Sequence, residues 1–376
     1  MRNPFVTNGY AGPEYFCDRV EETKTIVGLL SNQNNLALIS PRRIGKTDLI
    51  RHCFNQPEIK ENYYTFEVDI YATSSLNDFV NLFGKAVLDA LRPKGRKVWE
   101  GFLNILTSLR AEIKFDINGE PSWGVGLSNI ANPQATLEEI FRYLQAADKP
   151  CLVAIDEFQQ ILKYPDGNLV EAALRTYIQR CSNANFIFAG SHRHLMGAIF
   201  TSPSRPFYQS VTIINLHPIG LDKYTEFCID KFQAAGKSLS EDVVEFLYNK
   251  FESVTSYMQK VMNAMFMTTM PGEKCIVGDV DTAIDMLLSL SSDTYETLLS
   301  QMPEKQRSLF LAIAAEGKAN AISSGAFVKK YHLISASSVL SAAKGLLEKD
   351  FITQDNGVYY VYDKMFVLWL KSKRFI

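Results

Sequence analysis

A glycine-lysine-threonine sequence between an apolar strand and a helix constrains this chain more than any other feature. The stretch "LISPRRIGKTDLI" occupies residues 38–50. It matches the phosphate-binding pattern G-x-x-x-x-G-K-[ST] except at the first position, where Ser40 stands in place of glycine. That position mainly requires a small residue, and serine is small. The stretch therefore predicts a loop that wraps a phosphate group between a buried strand and the following helix.

The residue types of this loop suit ATP and Mg²⁺. Gly45 permits a backbone conformation that turns amide N–H groups inward, where they form an anion site with the helix N-terminus. Lys46 is predicted to bind the β- and γ-phosphates, and Thr47 to offer its hydroxyl to Mg²⁺. Arg42 and Arg43 have two alternative interpretations. They either contact a phosphate or hold the loop in place through ion pairs with carboxylates. The predicted nucleotide contacts are Ser40, Pro41, Arg42, Arg43, Ile44, Gly45, Lys46, Thr47 and Asp48.

An acidic pair follows a second apolar strand. The stretch "CLVAIDEF" places Asp156 and Glu157 about 110 residues after the loop lysine. Ligands of open α/β sheets bind at the carboxyl ends of the strands, so two carboxylates there predict a site rather than a solvated loop. Asp156 is predicted to hold Mg²⁺, and Glu157 to orient or activate an attacking water. Asp69, after another strand, either lies near the metal or is a surface carboxylate.

Short apolar runs alternate with helical patterns over the first 220 residues, which predicts an α/β fold with a parallel sheet. A segment at 111–128 interrupts this alternation of strands and helices, and its sequence predicts a β-hairpin that turns at Asn118-Gly119. The predicted strands are "NLALIS" (35–40), "YYTFEVDIY" (63–71), "CLVAID" (151–156), "NFIFAGS" (185–191) and "VTIINL" (211–216).

The remaining chain is predicted to be helical and then to form a winged helix. No strand is expected between 221 and 290, and Gly236 is a predicted helix C-cap. A helix between Pro303 and Gly317, two shorter helices and a hairpin turning at "DNG" predict a winged helix-turn-helix. The predicted domains are therefore a core at 1–220, a helical lid at 221–295 and a winged helix at 296–376.

Composition excludes some classes of protein. The 376 residues carry a formal net charge of −2, so the whole chain is no electrostatic binder of nucleic acid. Residues 301–376 are the exception, with 11 Lys and Arg against 6 Asp and Glu. The six cysteines form no CxxC pair, the start is no signal peptide and no apolar run approaches the roughly 20 residues of a spanning helix. These features predict a cytoplasmic protein without a membrane partner.

The motifs together resemble AAA+-like P-loop ATPases, and most of all the archaeal-type group of the signal-transducing (STAND) NTPases. "ISPRRIGKTDLI" resembles the Walker A box of that group, "VAIDEFQQI" its Walker B box and "FIFAGSHRHLM" its sensor-1 strand. "YFCDRVEE" resembles its opening box, "VTSYMQKVMNAM" its lid helix and "VYYVYDKMFVLWLK" the end of its winged helix. The resemblance covers nearly the whole chain.

This resemblance implies a sheet in the order 5-1-4-3-2 and a nucleotide site between core and lid. It implies that Ser191 senses the γ-phosphate and that Tyr15, Phe16 and Arg19 border the adenine. An arginine from a second copy of the chain completes many such sites. The candidates are Arg205 and then Arg193, each with a surface role as the alternative, and no arginine stands at the usual sensor-2 position, where Lys260 is a poor substitute.

Three functions follow as hypotheses. The first is an ATPase switch in which ATP and ADP states move the lid or the winged helix for a protein client. The second is a DNA-binding regulator with a structural nucleotide, although the presumed recognition helix offers only Lys344 and Lys349 for phosphates and little for base edges. The third is a phosphotransferase, for which no second substrate motif is visible.

Overall fold

The computed structural model describes residues 2–91, 113–115, 121–123, 130 and 132–376. Its strands are β1 (Leu36–Ile39), β2 (Tyr64–Asp69), β3 (Ile113–Phe115), β4 (Pro121–Trp123), β5 (Cys151–Asp156), β6 (Ala184–Gly190), β7 (Thr212–Asn215), β8 (Ser238–Leu239), β9 (Lys274–Cys275), β10 (Ala319–Asn320), β11 (Ile352–Asp355) and β12 (Val358–Val361). Its α-helices are α1 (Val20–Ser31), α2 (Lys46–Phe54), α3 (Pro57–Asn62), α4 (Leu76–Ala90), α5 (Pro133–Gln145), α6 (Gly167–Arg180), α7 (Arg193–Thr201), α8 (Leu221–Ala234), α9 (Glu241–Lys250), α10 (Thr255–Thr268), α11 (Gly278–Ser300), α12 (Glu304–Glu316), α13 (Gly325–Lys330), α14 (Ala336–Glu348) and α15 (Lys364–Ser372). Short 3₁₀ helices occupy Pro13–Tyr15 and Phe158–Lys163.

Five parallel strands form the main sheet, in the spatial order β2-β5-β6-β1-β7. Numbered along the chain within this sheet, the order reads 5-1-4-3-2 from the opposite edge, so the predicted topology is confirmed. The five predicted strands end within two residues of the observed ones. Their register aligns the carboxyl ends, with Asp69 opposite Asp156 and Ile39 opposite Gly190.

The central strands are buried on both faces because successive side chains of a strand point to opposite sides. Leu38 and Ala154 pack in a cluster with α1, α2 and α3, whereas Ile39 and Ile155 pack in a second cluster with α4, α5, α6 and α7. This burial explains why the strands read as continuous apolar runs. The result is a three-layer α/β arrangement whose loops meet at the carboxyl edge of the sheet.

The chain divides into two compact units. One, here called the sheet unit, comprises Val6–Phe227 and Val254–Ser256. The other, the helical unit, comprises the residues up to Phe5 with Cys228–Ser253 and Tyr257–Ile376. The predicted functional division at residues 220 and 295 stays a prediction.

The helical unit contains α9, α10 and α11 followed by the winged helix. The prediction that strands stop after residue 220 is wrong, because β8 and β9 form a parallel pair. Strands of two residues carry no periodic signal, so the sequence pattern missed them. Phe5, fully buried against Phe232 and Phe266, adds the start of the chain to this unit.

The winged helix is confirmed as predicted. It combines α12, α13 and α14 with a three-stranded sheet in the order β10-β12-β11. The hairpin turns at Asn356 and Gly357, both with positive φ (48° and 82°), as a tight Asn-Gly turn requires. Gly317 is the C-cap of α12 and has a φ of 74°. In α15, the indole N–H of Trp369 donates to the Ser292 hydroxyl of α11 at 3.0 Å.

The predicted hairpin insertion is present as an antiparallel pair of β3 and β4, with Ile113 opposite Trp123. Its predicted turn at residues 118–119 lies outside the described residues. In the described part of the chain, no helix has both the length and the hydropathy needed to cross a membrane.

Candidate nucleotide-binding site

The loop between β1 and α2 turns at a glycine with positive φ, as the sequence predicted. Gly45, the N-cap of α2, has a φ of 92°, and Arg43 has a φ of 67°. A Cβ on Gly45 would meet no heavy atom within 4 Å, so the glycine is required by backbone conformation and not by space. The loop therefore turns before the helix begins and leaves the first amides of α2 available to an anion.

Ser40 fits the position where the pattern expects glycine. Its side chain is buried, and its N–H donates to the carbonyl of Gly190 at 3.2 Å, extending the pairing of β1 with β6. The Ser40 hydroxyl has no hydrogen-bond partner among the described residues. A larger side chain would have to displace the packing around β6, so smallness is what this position preserves.

Lys46 and Thr47 both contact Asp156, which ends the strand two positions away in the sheet. The Lys46 ammonium donates to Asp156 Oδ1, and the Thr47 hydroxyl donates to Oδ2 at 2.7 Å. Burial raises the pKa of Asp156, but the Lys46 charge and the hydrogen bonds from Lys46, Thr47 and the Glu157 N–H outweigh it and lower that pKa. The two predicted metal ligands, Thr47 and Asp156, are therefore adjacent, and Asp156 is held as a carboxylate.

Glu157 lies at the centre of a second set of contacts. Its backbone is left-handed, with a φ of 54°, and its N–H donates to Asp156 Oδ1 at 2.8 Å. Carboxylate Oε2 accepts from the Ser191 hydroxyl at 2.9 Å and from the side-chain amide of Gln159. Oε1 lies 3.7 Å from the Lys46 ammonium. Three side chains from three separate segments, those of Lys46, Gln159 and Ser191, thus meet at this one carboxylate.

Ser191 joins the loop to the acidic pair. Besides donating to Glu157, its hydroxyl accepts from Arg42 Nε at 3.0 Å. Arg42 also reaches the His192 imidazole, with 3.3 Å between Nη2 and Nε2. The structure thus brings together the predicted sensor residue, the predicted general base and one of the two loop arginines.

The stretch "YFCDRVEE" (15–22), which resembles the opening box, contacts the loop. Arg19 is buried with a φ of 68°; its guanidinium pairs with Glu22 at 2.8 Å and donates to the Ile44 carbonyl at 3.4 Å. Phe16 stacks on His52 of α2 with ring centroids 4.2 Å apart, and Tyr15 closes a 3₁₀ helix. Arg19 therefore contacts the backbone of the loop, and the adenine roles of all three residues stay predictions.

The other predicted site residues are exposed or contact residues outside this cluster. Arg205 pairs with Glu171 of α6, with 2.7 Å between Nη2 and Oε2, and Arg193 is exposed at the start of α7. Asp48 faces Arg51 at 3.9 Å, and burial raises the pKa of its carboxyl. Pro41 is exposed.

Sequence reasoning missed Gln159 and left the role of Asp69 open. Gln159 lies inside the quoted Walker B-like stretch "VAIDEFQQI", but its inward orientation depends on the 3₁₀ turn that follows β5. Burial raises the pKa of Asp69, and the charges of Asp156 and Glu157 raise it further, which shows that the three carboxylates interact.

The strand order and the loop between β1 and α2 define the P-loop NTPase fold in its AAA+ arrangement. The chain belongs to the family described as the ATPase domain predominantly from Archaea, which matches residues 16–261. A probable winged helix domain matches residues 293–372. It is thus an ATPase-family protein with a winged helix. No curated protein matches the chain by sequence.

Solved structures share this fold at low identity. The Walker-type ATPase of Pyrococcus abyssi is 17% identical with a TM-score of 0.64, covering 98% of this chain and 99% of its own. The ORC1 protein of Aeropyrum pernix, solved in complex with DNA, is 11% identical with a TM-score of 0.58, covering 100% and 98%. The ORC2 protein of Aeropyrum pernix, solved as ADPNP–ADP complexes, is 12% identical with a TM-score of 0.51, covering 100% and 99%. At such identities the likeness concerns the fold alone.

Proposed function

We propose that this protein is a Mg²⁺-dependent ATP-hydrolysing switch, of the kind implied by its resemblance to the signal-transducing ATPases. One observation carries the proposal: Lys46, Thr47, Asp156, Glu157 and Ser191 converge at the carboxyl edge of the sheet around a left-handed glycine loop. An ammonium and inward-facing amides suit the phosphates, and two adjacent carboxylates suit a metal and a water.

The residues present fit Mg²⁺. The Thr47 hydroxyl and an Asp156 carboxylate oxygen lie 2.7 Å apart, and both are the hard oxygen donors that this ion prefers. In the described part of the chain no group of three or more His, Cys, Asp or Glu forms a protein-only metal cage. Mg²⁺ usually keeps several waters and takes one or two protein ligands, so Thr47 and Asp156 suffice. The bound ion would neutralise phosphate charge.

Hydrolysis requires three actions of the chain itself. Lys46 exchanges its contact with Asp156 for the phosphate oxygens and stabilises their charge. Glu157 accepts a proton from a water that attacks the γ-phosphorus, and the bond from that phosphorus to the β–γ bridging oxygen breaks to release ADP. Ser191 holds Glu157 and, as the sensor residue, contacts the γ-phosphate.

Three hydrogen bonds made by consecutive residues support the proposed switch. In the sheet unit, the N–H of Ser256 at the start of α10 donates to the Arg43 carbonyl of the loop at 3.0 Å. In the helical unit, the hydroxyl of the next residue, Tyr257, donates to the Tyr362 carbonyl at 3.1 Å and accepts from the Lys364 N–H at 3.1 Å. The loop backbone in the sheet unit and the winged helix in the helical unit thus each bond to one of two consecutive residues, Ser256 and Tyr257.

The binding site is tested by Lys46→Ala. Removing the ammonium should weaken MgATP binding by about 2 kcal/mol, or roughly 30-fold, because a charge-assisted contact is lost. Titration calorimetry measures this affinity. Lys149→Ala is the control. Lys149 lies just before β5, at the amino end of the strand and away from the carboxyl edge of the sheet, where it is exposed and donates to the Glu61 carbonyl. Equal affinity in both variants would remove Lys46 from the site.

The catalytic role is tested separately by Glu157→Gln. The amide has the size of the carboxylate but accepts no proton, so ATP should still bind while the turnover falls by about 100-fold or more. Phosphate release under saturating MgATP measures the turnover. Normal turnover in this variant would assign water activation to another group.

The winged helix favours one second candidate, a regulator that binds DNA. The similar ORC1 protein was solved in complex with DNA. Here Lys329, Lys344 and Lys373 are exposed on the winged helix and could meet phosphates. Two neighbours on the same module, Ile334 and Leu340, are 71% and 53% exposed, which suits a protein surface better than a groove of DNA.

A salt titration separates these candidates. If the winged helix binds duplex DNA, fluorescence anisotropy should show an affinity that falls steeply between about 50 and 200 mM salt, whether or not ATP is present. Lys344→Glu should then weaken binding, whereas Lys149→Glu on the sheet unit should not. Absence of binding at low salt would favour a switch directed at a protein client.

A further inference from the structure

Gln159 is a buried amide with no evident reason to be there from packing alone. It lies in the 3₁₀ helix Phe158–Lys163 after β5 and is 3% exposed. Its amide nitrogen donates to Glu157 Oε2, whereas its carbonyl oxygen has no hydrogen-bond partner among the described residues. A half-satisfied amide in a core costs stability relative to an apolar side chain of the same size. The benefit that offsets this cost must lie in what the amide does to Glu157.

The contacts of Glu157 show what that benefit is. One carboxylate oxygen, Oε2, receives both the Ser191 hydroxyl at 2.9 Å and the Gln159 amide. The other, Oε1, faces the Lys46 ammonium at 3.7 Å. Two donors on the same oxygen, one at the end of β6 and one in the turn after β5, fix the plane of the carboxylate. They leave Oε1 as the oxygen that can accept a proton.

Gly190 provides the space for this amide. A Cβ at Gly190 would lie 2.3 Å from the Gln159 side-chain oxygen and 2.4 Å from the sulfur of Met196. The end of β6 therefore runs directly against the Gln159 side chain, just before Ser191. The amide and the sensor hydroxyl are thus positioned by one tightly packed strand end.

We propose that Gln159 is a positioning residue for the reaction, which holds the Glu157 carboxylate in the orientation that activates the attacking water. The proposal rests on the proposed ATP hydrolysis and deepens it. Gln159 does not touch the nucleotide in this account; it acts only through Glu157. Its loss should therefore reduce the rate of the chemical step and leave nucleotide binding unchanged.

The test replaces Gln159 by two apolar residues, Gln159→Leu and the longer Gln159→Met. Each should lower kcat about tenfold at constant KM and constant calorimetric affinity for ATP, since only part of the general-base contribution is lost. Thermal stability should stay equal or rise, which a structural role would not allow.

The matched control is Gln160→Leu. Gln160 lies next to Gln159 in the same 3₁₀ helix, but its side-chain amide donates to the Thr73 carbonyl at 2.9 Å. Its one bond to Glu157 runs from the Gln160 backbone N–H to the Glu157 carbonyl at 2.8 Å, which the substitution keeps. This control should keep the kcat and the KM of the natural chain.

The outcomes distinguish this proposal from the function on which it rests. If Glu157→Gln abolishes turnover while Gln159→Leu and Gln159→Met turn over like Gln160→Leu, the role of Gln159 is refuted and the ATPase stands. A higher kcat, or a raised KM with unchanged kcat, also refutes it. If the natural chain hydrolyses no ATP, or Glu157→Gln is fully active, the proposed function fails first and the positioning role fails with it.

Discussion

Asp156 is the residue where the basic loop and the acidic strand end meet. It accepts from both Lys46 and Thr47 while remaining largely buried. Its charge is tolerated there because these donors compensate the loss of water. The same contacts that prepare a metal site in the presence of nucleotide therefore contribute to stability in its absence.

The hydrogen bonds to the ionised Asp156 carboxylate predict that the stability of the protein depends on pH. The pKa of Asp156 is lowered from its ordinary 3.8, so its ionised form stabilises the fold above about pH 4, and this contribution is lost as pH falls through the lowered pKa. Without nucleotide, Asp156→Asn should lower the free energy of unfolding by about 2 kcal/mol at pH 7. Urea denaturation should show the deficit closing below pH 4. The exposed Asp285→Asn should show no deficit at either pH.

The contacts of Arg205 predict a role in stability, which is an alternative to its suggested catalytic role. Its guanidinium pairs with Glu171, whose side chain is fully buried and whose pKa burial raises. Arg205→Ala should cost about 3 kcal/mol of unfolding free energy, because it leaves a buried carboxylate without its cation. Adding Glu171→Gln should restore most of that loss. A different result would support a role of Arg205 in the site of a second copy. The Arg205→Ala protein would then be as stable as the natural chain, and its turnover would fall below that of the natural chain only at high protein concentration, where copies associate.

At the scale of elements, the site depends on how helices start against the strand ends. The 3₁₀ helix Phe158–Lys163 carries Gln159 and ends just before α6. Gly167 begins α6, and a Cβ there would lie 2.5 Å from the Ile161 carbonyl oxygen. Because the obstructing atom belongs to the backbone, no side-chain rotation relieves the clash.

Two glycines in helices should therefore respond in opposite directions to alanine. Gly167→Ala should destabilise the protein by about 2 kcal/mol through overpacking against the backbone. Gly197→Ala in α7, where a Cβ meets nothing within 4 Å, should stabilise it by about 0.5–1 kcal/mol because alanine favours the helix. Chemical denaturation measures both, and equal effects of the same sign would show that helix propensity alone decides.

At the scale of the whole molecule, a buried tyrosine makes some of the contacts between α10 and the winged helix within the helical unit. Tyr257 of α10 is 2% exposed and stacks on Phe251, with ring centroids 5.5 Å apart. Its hydroxyl bonds the backbone of Tyr362 and Lys364, at the junction of β12 and α15. Together with side-chain contacts such as that of Trp369 with Ser292, these bonds to the main chain hold the winged helix to the preceding helices within this unit.

Tyr257→Phe should loosen that junction without touching the nucleotide site. The loss of the hydroxyl leaves a carbonyl and an N–H without their partner, which should cost about 2 kcal/mol. Hydrogen exchange should become faster at the amides of residues 362–364, whereas the amides of β5 should exchange as before. Uniformly faster exchange in both units would show that the chain unfolds as one cooperative body.

The sequence alone determined the local parts of this protein. Apolar runs identified the five strands, because central strands of a covered sheet are buried on both faces. The Gly-Lys-Thr stretch identified the loop, and the "DNG" turn identified the wing, because each depends on a few neighbouring residues. The strand order came from the resemblance to a known family, since periodicity contains no information about which strands pair.

Tertiary structure decided which distant side chains meet. The contacts of Glu157 with Gln159 and Ser191, the pairing of Arg205 with Glu171 and the burial of Phe5 leave no local pattern in the chain. The short β8 and β9 pair across a long separation and are too brief to show alternation. Contacts of this kind arise when the packed sheet and helices place chain segments side by side. Their energies depend on that placement, which no stretch of sequence carries by itself.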